Sequence, residues 1–101
     1  MWVLRVSGLP DYPDGKTFRL SDGSVKTIGR ATRADFIVDA ALVSRVHCRL
    51  TADKSGQLIV EDLDSTNGTQ VNGQRVPRAV LKTGDIIGVG SVAIAIERHN
   101  K

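Results

Sequence analysis

The chain has 101 residues, 41% of them hydrophobic, and 14 basic against 11 acidic residues give a net charge of +3. That suits one domain spanning residues 1–101, with a modest core and a mildly basic surface. No apolar run approaches the ~18 residues of a membrane span, Met1-Trp2-Val3-Leu4-Arg5 lacks the long apolar core of a signal peptide, and a single cysteine with two histidines gives neither an internal disulfide nor a metal-ligand spacing.

In chain order, Trp2 to Val6 alternates, with Trp2, Leu4 and Val6 on one face of a half-buried strand. Ser7 to Gly15 carries Gly8, Pro10, Pro13 and Asp14-Gly15 and reads as loop. Lys16 to Leu20 is a second strand with Phe18 and Leu20 inward. Asp22-Gly23 then reads as a hairpin turn into Val25 to Ile28. Asp35 to Val38 is a short strand and Asp39 to Val43 a loop. From His47 the faces split, with His47, Arg49 and Thr51 on one side and Cys48, Leu50 and Ala52 on the other. Cys48 is therefore expected in the core.

Gln57 to Leu63 is a strongly apolar strand after a turn at Asp53 to Gly56. Ser65 to Gly73 contains two Asn-Gly pairs, each a hairpin signal because both residues accept φ > 0 at low cost. Only a very short strand, Thr69 to Val71, fits between them. Gln74 to Val76 is a brief strand, Pro77 to Ala79 a loop, Ile86 to Val89 a strand. The last strand places Val92, Ile94 and Ile96 on one face. Nothing repeats at 3.6 over a helix length. Many short strands with Gly and Asp turns indicate an all-β sandwich or barrel.

Three loops carry the candidate chemistry. One holds Gly29-Arg30, one Ser44-Arg45-Val46-His47, and the third Ser65-Thr66-Asn67. An isolated Asn-Gly is an ordinary turn, and a lone Arg or Ser on a loop is an ordinary solvated side chain. Loops at one end of a sandwich lie side by side, however. There Arg30, Ser44, Arg45, Thr66 and Asn67 would supply guanidinium forks, hydroxyls and a carboxamide, the donors an anion such as phosphate needs. Ser44 and His47 do not read as a nucleophile–base pair, because i and i+3 of an extended segment point to opposite faces. No phosphate-binding GxxxxGK loop occurs, so an enzyme is not expected. A nucleic-acid-binding β-barrel is favoured only by the basic balance, and Trp2, Tyr12, Phe18 and Phe36 are few aromatics for base stacking. A sandwich that binds an unmodified protein partner is the other alternative.

The ordered set Gly29-Arg30, Ser44-x-x-His47, Ser65-Thr66-Asn67-Gly68-Thr69 and Asn72-Gly73 resembles the forkhead-associated (FHA) domain family across essentially the whole chain. The resemblance implies a sandwich of two twisted antiparallel sheets with about eleven short strands. It also implies a module, monomeric and free of cofactors, that binds phosphothreonine peptides at its loop end and contacts neither nucleic acid nor membrane. On the family pattern Arg30 and Ser44 hold the phosphate and Arg45 joins them. Thr66 lies at the phosphothreonine, and Asn67 hydrogen-bonds the peptide main chain. Gly29, His47, Gly68 and Asn72 are structural supports. The third residue after the phosphothreonine is often read by the loop before Ser44. Leu42 there suits an aliphatic residue, or weak selection, unless Arg78 reaches the same spot. A slighter similarity to the amino terminus of nibrin-type or checkpoint-kinase proteins suggests DNA-damage or cell-cycle signalling and an intracellular, nuclear setting.

Overall fold

A computed structural model describes residues 1–99, which form eleven strands: β1 (Trp2–Ser7), β2 (Lys16–Leu20), β3 (Ser24–Gly29), β4 (Phe36–Ile37), β5 (Cys48–Ala52), β6 (Leu58–Asp62), β7 (Thr69–Val71), β8 (Gln74–Arg75), β9 (Arg78–Leu81), β10 (Ile86–Val89) and β11 (Val92–Arg98). Six strands make one sheet in the order β2-β1-β11-β10-β7-β8, and five make the other in the order β4-β3-β5-β6-β9. No helix among the described residues is long and apolar enough to cross a membrane.

The inner faces follow the alternation. Leu4 lies opposite Ile96, Val6 opposite Ile94 and Leu50 opposite Val60, all buried in one core between the sheets. Each fully buried Leu or Ile contributes about 1.5–3 kcal/mol, so the inward rows of β1, β5, β6 and β11, together with Leu20, Ile28, Leu81 and Ile87, hold the sheets to one another.

Four expectations need correction. First, the five-stranded sheet is mixed, because β4 runs parallel to β3 with Ile28 beside Phe36. A parallel connection normally needs a dozen or more residues. Here β4 is only two residues long, and Asp35 ties the short crossover to Thr27. Its carboxylate accepts from Thr27 N at 2.9 Å, and its backbone N–H donates to Thr27 Oγ1 at 3.1 Å. Second, Asp22-Gly23 is not a hairpin, since β2 and β3 belong to different sheets. Third, the two Asn-Gly pairs differ. Asn72 and Gly73 both have positive φ, 52° and 84°, and close the β7–β8 hairpin. Asn67 is not left-handed; only Gly68 is, and this pair carries the chain from β6 in one sheet to β7 in the other. Fourth, Pro77 to Ala79 is not all loop. β9 begins at Arg78 and pairs with β6, Glu61 opposite Arg78 and Leu58 opposite Leu81. Its own alternation, Arg78 and Val80 outward with Leu81 buried, was legible beneath the proline.

Candidate functional site

The β3–β4, β4–β5 and β6–β7 loops frame an open cleft of ≈ 810 Å³ at one end of the sandwich. Arg30, Leu42, Ser44, Arg45, Thr66 and Asn67 all line it. Arg78 does not. It stands on β9 opposite Glu61, which pairs with Arg49 at 3.2 Å. Two charged residues that sequence reasoning missed, Arg33 and Asp64, also line the cleft. Asp64, just before Ser65, adopts φ 58°, a left-handed conformation that Asp and Asn tolerate.

Close backbone approach assembles the cleft floor. Gly29 leaves room for the Arg45 main chain, since a Cβ at residue 29 would sit 2.1 Å from Arg45 O and 2.8 Å from Val46 Cα. In that space Arg30 N donates to Ser44 O and Ala31 N to Arg45 O, each at 3.0 Å. From the other side, Ser91 N donates to Ala41 O at 3.1 Å, and a Cβ on Gly90 would fall 2.6 Å from the Leu42 carbonyl carbon. The Gly90-Ser91 turn thus positions Leu42, which is 64% exposed and left-handed at φ 68°.

Beneath the loops, His47 is fully buried. Its expected place on the outer face with Arg49 is wrong, because β5 starts only at Cys48 and the β6–β7 loop covers the residue before it. The segment from Ser44 is a turn and not extended, so the imidazole swings back to Ser44. It meets the backbone there, not the hydroxyl: Ser44 N donates to Nδ1 at 3.0 Å. With Nδ1 accepting, the proton is on Nε2, which donates to Gly68 O at 2.8 Å. Both ring nitrogens are committed, and His47 ties the Ser44 turn to the Gly68 turn. Asp62 supports the same corner. Its Oδ1 accepts from Ser65 Oγ (2.6 Å) and Thr69 Oγ1 (2.7 Å), and its Oδ2 from Ser65 N (3.1 Å). Burial pushes this carboxyl upward, but the Ser65 and Thr69 bonds more than offset it and hold it below the usual carboxylate range. Ser65 Oγ in turn accepts from Gly68 N at 2.8 Å.

On this frame the cleft side chains are partly tethered. Arg30 Nε donates to Val43 O at 3.1 Å, which orients the guanidinium and leaves its terminal nitrogens available. Ser44 Oγ accepts from Thr66 N at 3.0 Å, and among the described residues its own proton goes to no protein acceptor. Asn67 Nδ2 donates to Leu42 O at 3.1 Å, bridging two loops of the cleft, and among the described residues its carboxamide oxygen is unbonded. The result is a cleft with three arginines, Arg30, Arg33 and Arg45, in which Arg30, Ser44 and Asn67 are held by hydrogen bonds: an anion-binding arrangement.

Asn72 lies away from the cleft. It bonds Asp85 Oδ1 through Nδ2 (3.0 Å) and accepts from Ile86 N (2.9 Å), bracing β7 against β10. Cys48 is fully buried in the core, and burial pushes its thiol up to about 12. Among the described residues no group of three or more His, Cys, Asp or Glu is placed to hold a metal ion.

Comparison with known proteins agrees with this geometry. The FHA domain family model matches residues 26–90. FhaA of Mycobacterium tuberculosis, named an FHA domain-containing protein, is 39% identical over 90 residues, covering 88% of this chain but 16% of its own length. The glycogen accumulation regulator GarA of Mycolicibacterium smegmatis is 35% identical over 97 residues, covering 87% of this chain and 61% of its own length. The chain therefore spans less than two thirds of these relatives. Among solved structures, one described under phosphothreonine-dependent FHA domain interactions superposes with a TM-score of 0.86 at 33% identity, covering 99% of this chain and 98% of its own. The FhaA FHA domain complexed with the intracellular domain of Rv3910 gives 0.83 at 33% identity, covering 96% and 100%. The mycobacterial relatives lend no support to a nibrin-type or checkpoint-kinase origin, nor to a nuclear DNA-damage setting. With the ordered loop motifs, the shared sandwich and the family model all agreeing, the chain belongs to the FHA domain family.

Proposed function

We propose that this chain is a phosphothreonine-peptide-binding module that joins a phosphorylated protein to whatever the chain is part of. One observation carries the reading. Thr66 N holds the Ser44 hydroxyl as an acceptor, so the hydroxyl proton is left for an incoming anion, in the same cleft as an Arg30 guanidinium oriented by Val43 O. In this reading Arg30, Ser44 and Arg45 bind the phosphate, Thr66 flanks it and Asn67 bonds the peptide main chain through its free carboxamide oxygen and second N–H. Leu42 covers the side chain three residues on, with an aliphatic preference. The phosphothreonine-dependent structure and the FhaA complex with an intracellular protein domain support the partner class and a bacterial signalling context.

The test is a titration of a phosphothreonine peptide beside its dephosphorylated twin. A charge-assisted hydrogen bond contributes roughly 1.5–3 kcal/mol, so Arg30→Ala should weaken phosphopeptide binding at least about tenfold. Thermal stability should fall by less than about 1 kcal/mol, because Arg30 is exposed and its bond to Val43 O is made in reach of water. Equal affinity for the two peptides would end the reading, and a steep salt slope with unphosphorylated DNA or RNA would replace it with nucleic-acid binding.

A further inference from the structure

Arg30 and Arg45 together match the charge of one phosphate, roughly −1.5 to −2 at neutral pH. Two charged cleft residues are then left over. Arg33 stands on the β3–β4 loop and Asp64 on the β6–β7 loop. Both are exposed, and among the described residues neither forms an ion pair, with the other or with anything else. The backbone that carries each is fixed in a turn. Arg33 occupies the corner of a tight turn closed by Ala34 N donating to Ala31 O at 3.0 Å, with Ala34 buried beneath it. Asp64 is held left-handed between cleft-lining Leu63 and Ser65, whose side chain and backbone are both bonded to Asp62.

We infer that the cleft reads a charge polarity in the peptide, Arg33 taking an acidic group on one side of the phosphothreonine and Asp64 a basic side chain on the other. This rests on the phosphothreonine reading above. The physical warrant is that unpaired opposite charges on separate walls discriminate both ways. A ligand with matching charges gains two contacts, and a ligand with reversed charges meets two repulsions. Each residue of an extended peptide advances about 3.3 Å, so one arginine side chain covers positions within about three residues of the phosphate-bearing one. The acidic group at Arg33 is a carboxylate or a second phosphate; a guanidinium receives either as a bidentate fork.

The experiment uses phosphothreonine peptides in three forms: alanine flanks, glutamates before and lysines after, and the reverse order, each with its dephosphorylated twin. Exposed ion pairs contribute modestly, so each contact should change affinity about two- to fivefold. Two matched contacts should raise affinity about four- to twenty-five-fold over the alanine-flanked peptide, and two repulsions should weaken the reversed peptide further, so one polarity should bind more than about tenfold more tightly than its reverse. The readout is that ratio. Arg33→Gln and Asp64→Asn, the latter keeping the left-handed turn, should each shrink it, and Arg33→Lys should preserve most of it. Replacing the glutamates by one phosphothreonine separates the two acidic sources, tighter binding marking phosphate and equal or weaker binding carboxylate. Equal affinity for both polarities, or a ratio untouched by both charge-removing variants, overturns the inference. If the alanine-flanked phosphopeptide binds no better than its twin, it is the phosphothreonine reading that has failed, and this one falls with it.

Discussion

Gly29→Ala should cripple the cleft without touching a residue that faces it. The added Cβ would lie 2.1 Å from Arg45 O, 2.7 Å from its carbonyl carbon and 2.8 Å from Val46 Cα, all main-chain atoms with no rotamer to yield. Ordinary contact lies near 3.4–4 Å, so the Ser44–Val46 segment must withdraw by roughly 1 Å. The bonds from Arg30 N to Ser44 O and from Ala31 N to Arg45 O, now 3.0 Å, would then open beyond hydrogen-bonding range. Overpacking costs about 1–3 kcal/mol and each lost bond about 0.5–1.5 kcal/mol. A loss near 3 kcal/mol is the reasonable figure, which lowers Tm by roughly 10–25 °C for a domain of this size. Melting curves followed by circular dichroism measure it. A phosphopeptide titration in the cold, where the variant is folded, should show affinity reduced at least about tenfold as Ser44 and Arg45 shift. Gly73→Ala is the control. Its φ of 84° makes the substitution strained, about 1–2 kcal/mol, but a Cβ there meets nothing within 4 Å and the hairpin lies outside the cleft. Gly73→Ala should therefore melt earlier and bind normally. A Gly29→Ala protein that melts within a few degrees of the parent and binds equally well would refute the close-approach argument.

Asp62→Asn should destabilise the β6–β7 corner by roughly 1–3 kcal/mol, because an amide replacing Oδ2 faces the Ser65 N–H with a second donor. The Asp62 carboxyl is held below its ordinary value in the fold, so its contribution is full above the unfolded carboxylate value near 4 and is lost as pH falls through the folded value. Urea melts between pH 5 and 3 should accordingly show a flatter acid loss in the variant than in the parent. Cys48 should resist alkylation at pH 8 in the folded protein and react once urea unfolds it, since burial keeps the thiol protonated; prompt labelling of the native state would contradict its place in the core. Phosphopeptide affinity should decline below about pH 6, where the phosphate gains its second proton, and a pH-independent Kd between 7 and 5 would argue that charge is not what the cleft reads.

Much of this molecule is local in origin. The alternation of Trp2, Leu4, Val6 and of Val92, Ile94, Ile96 selects strands because only period two puts every second side chain in the core. Asn72-Gly73 closes its hairpin unaided, since both residues accept left-handed φ. The ordered motifs around Arg30, Ser44 and Asn67 were likewise legible, and those residues do share one cleft. Tertiary structure decided what depends on partners distant in the chain. Asp22-Gly23 and Asn67-Gly68 specify a reversal, but whether the chain reverses into the same sheet or crosses to the other depends on which strands already flank it. His47 looked outward by alternation and is buried because a loop some 20 residues on supplies its second hydrogen bond, from Nε2 to Gly68 O. Arg33 and Asp64 carry no motif. They became candidates only when three loops folded against one another and left two opposite charges in one cleft without partners among the described residues, a circumstance that no local pattern encodes.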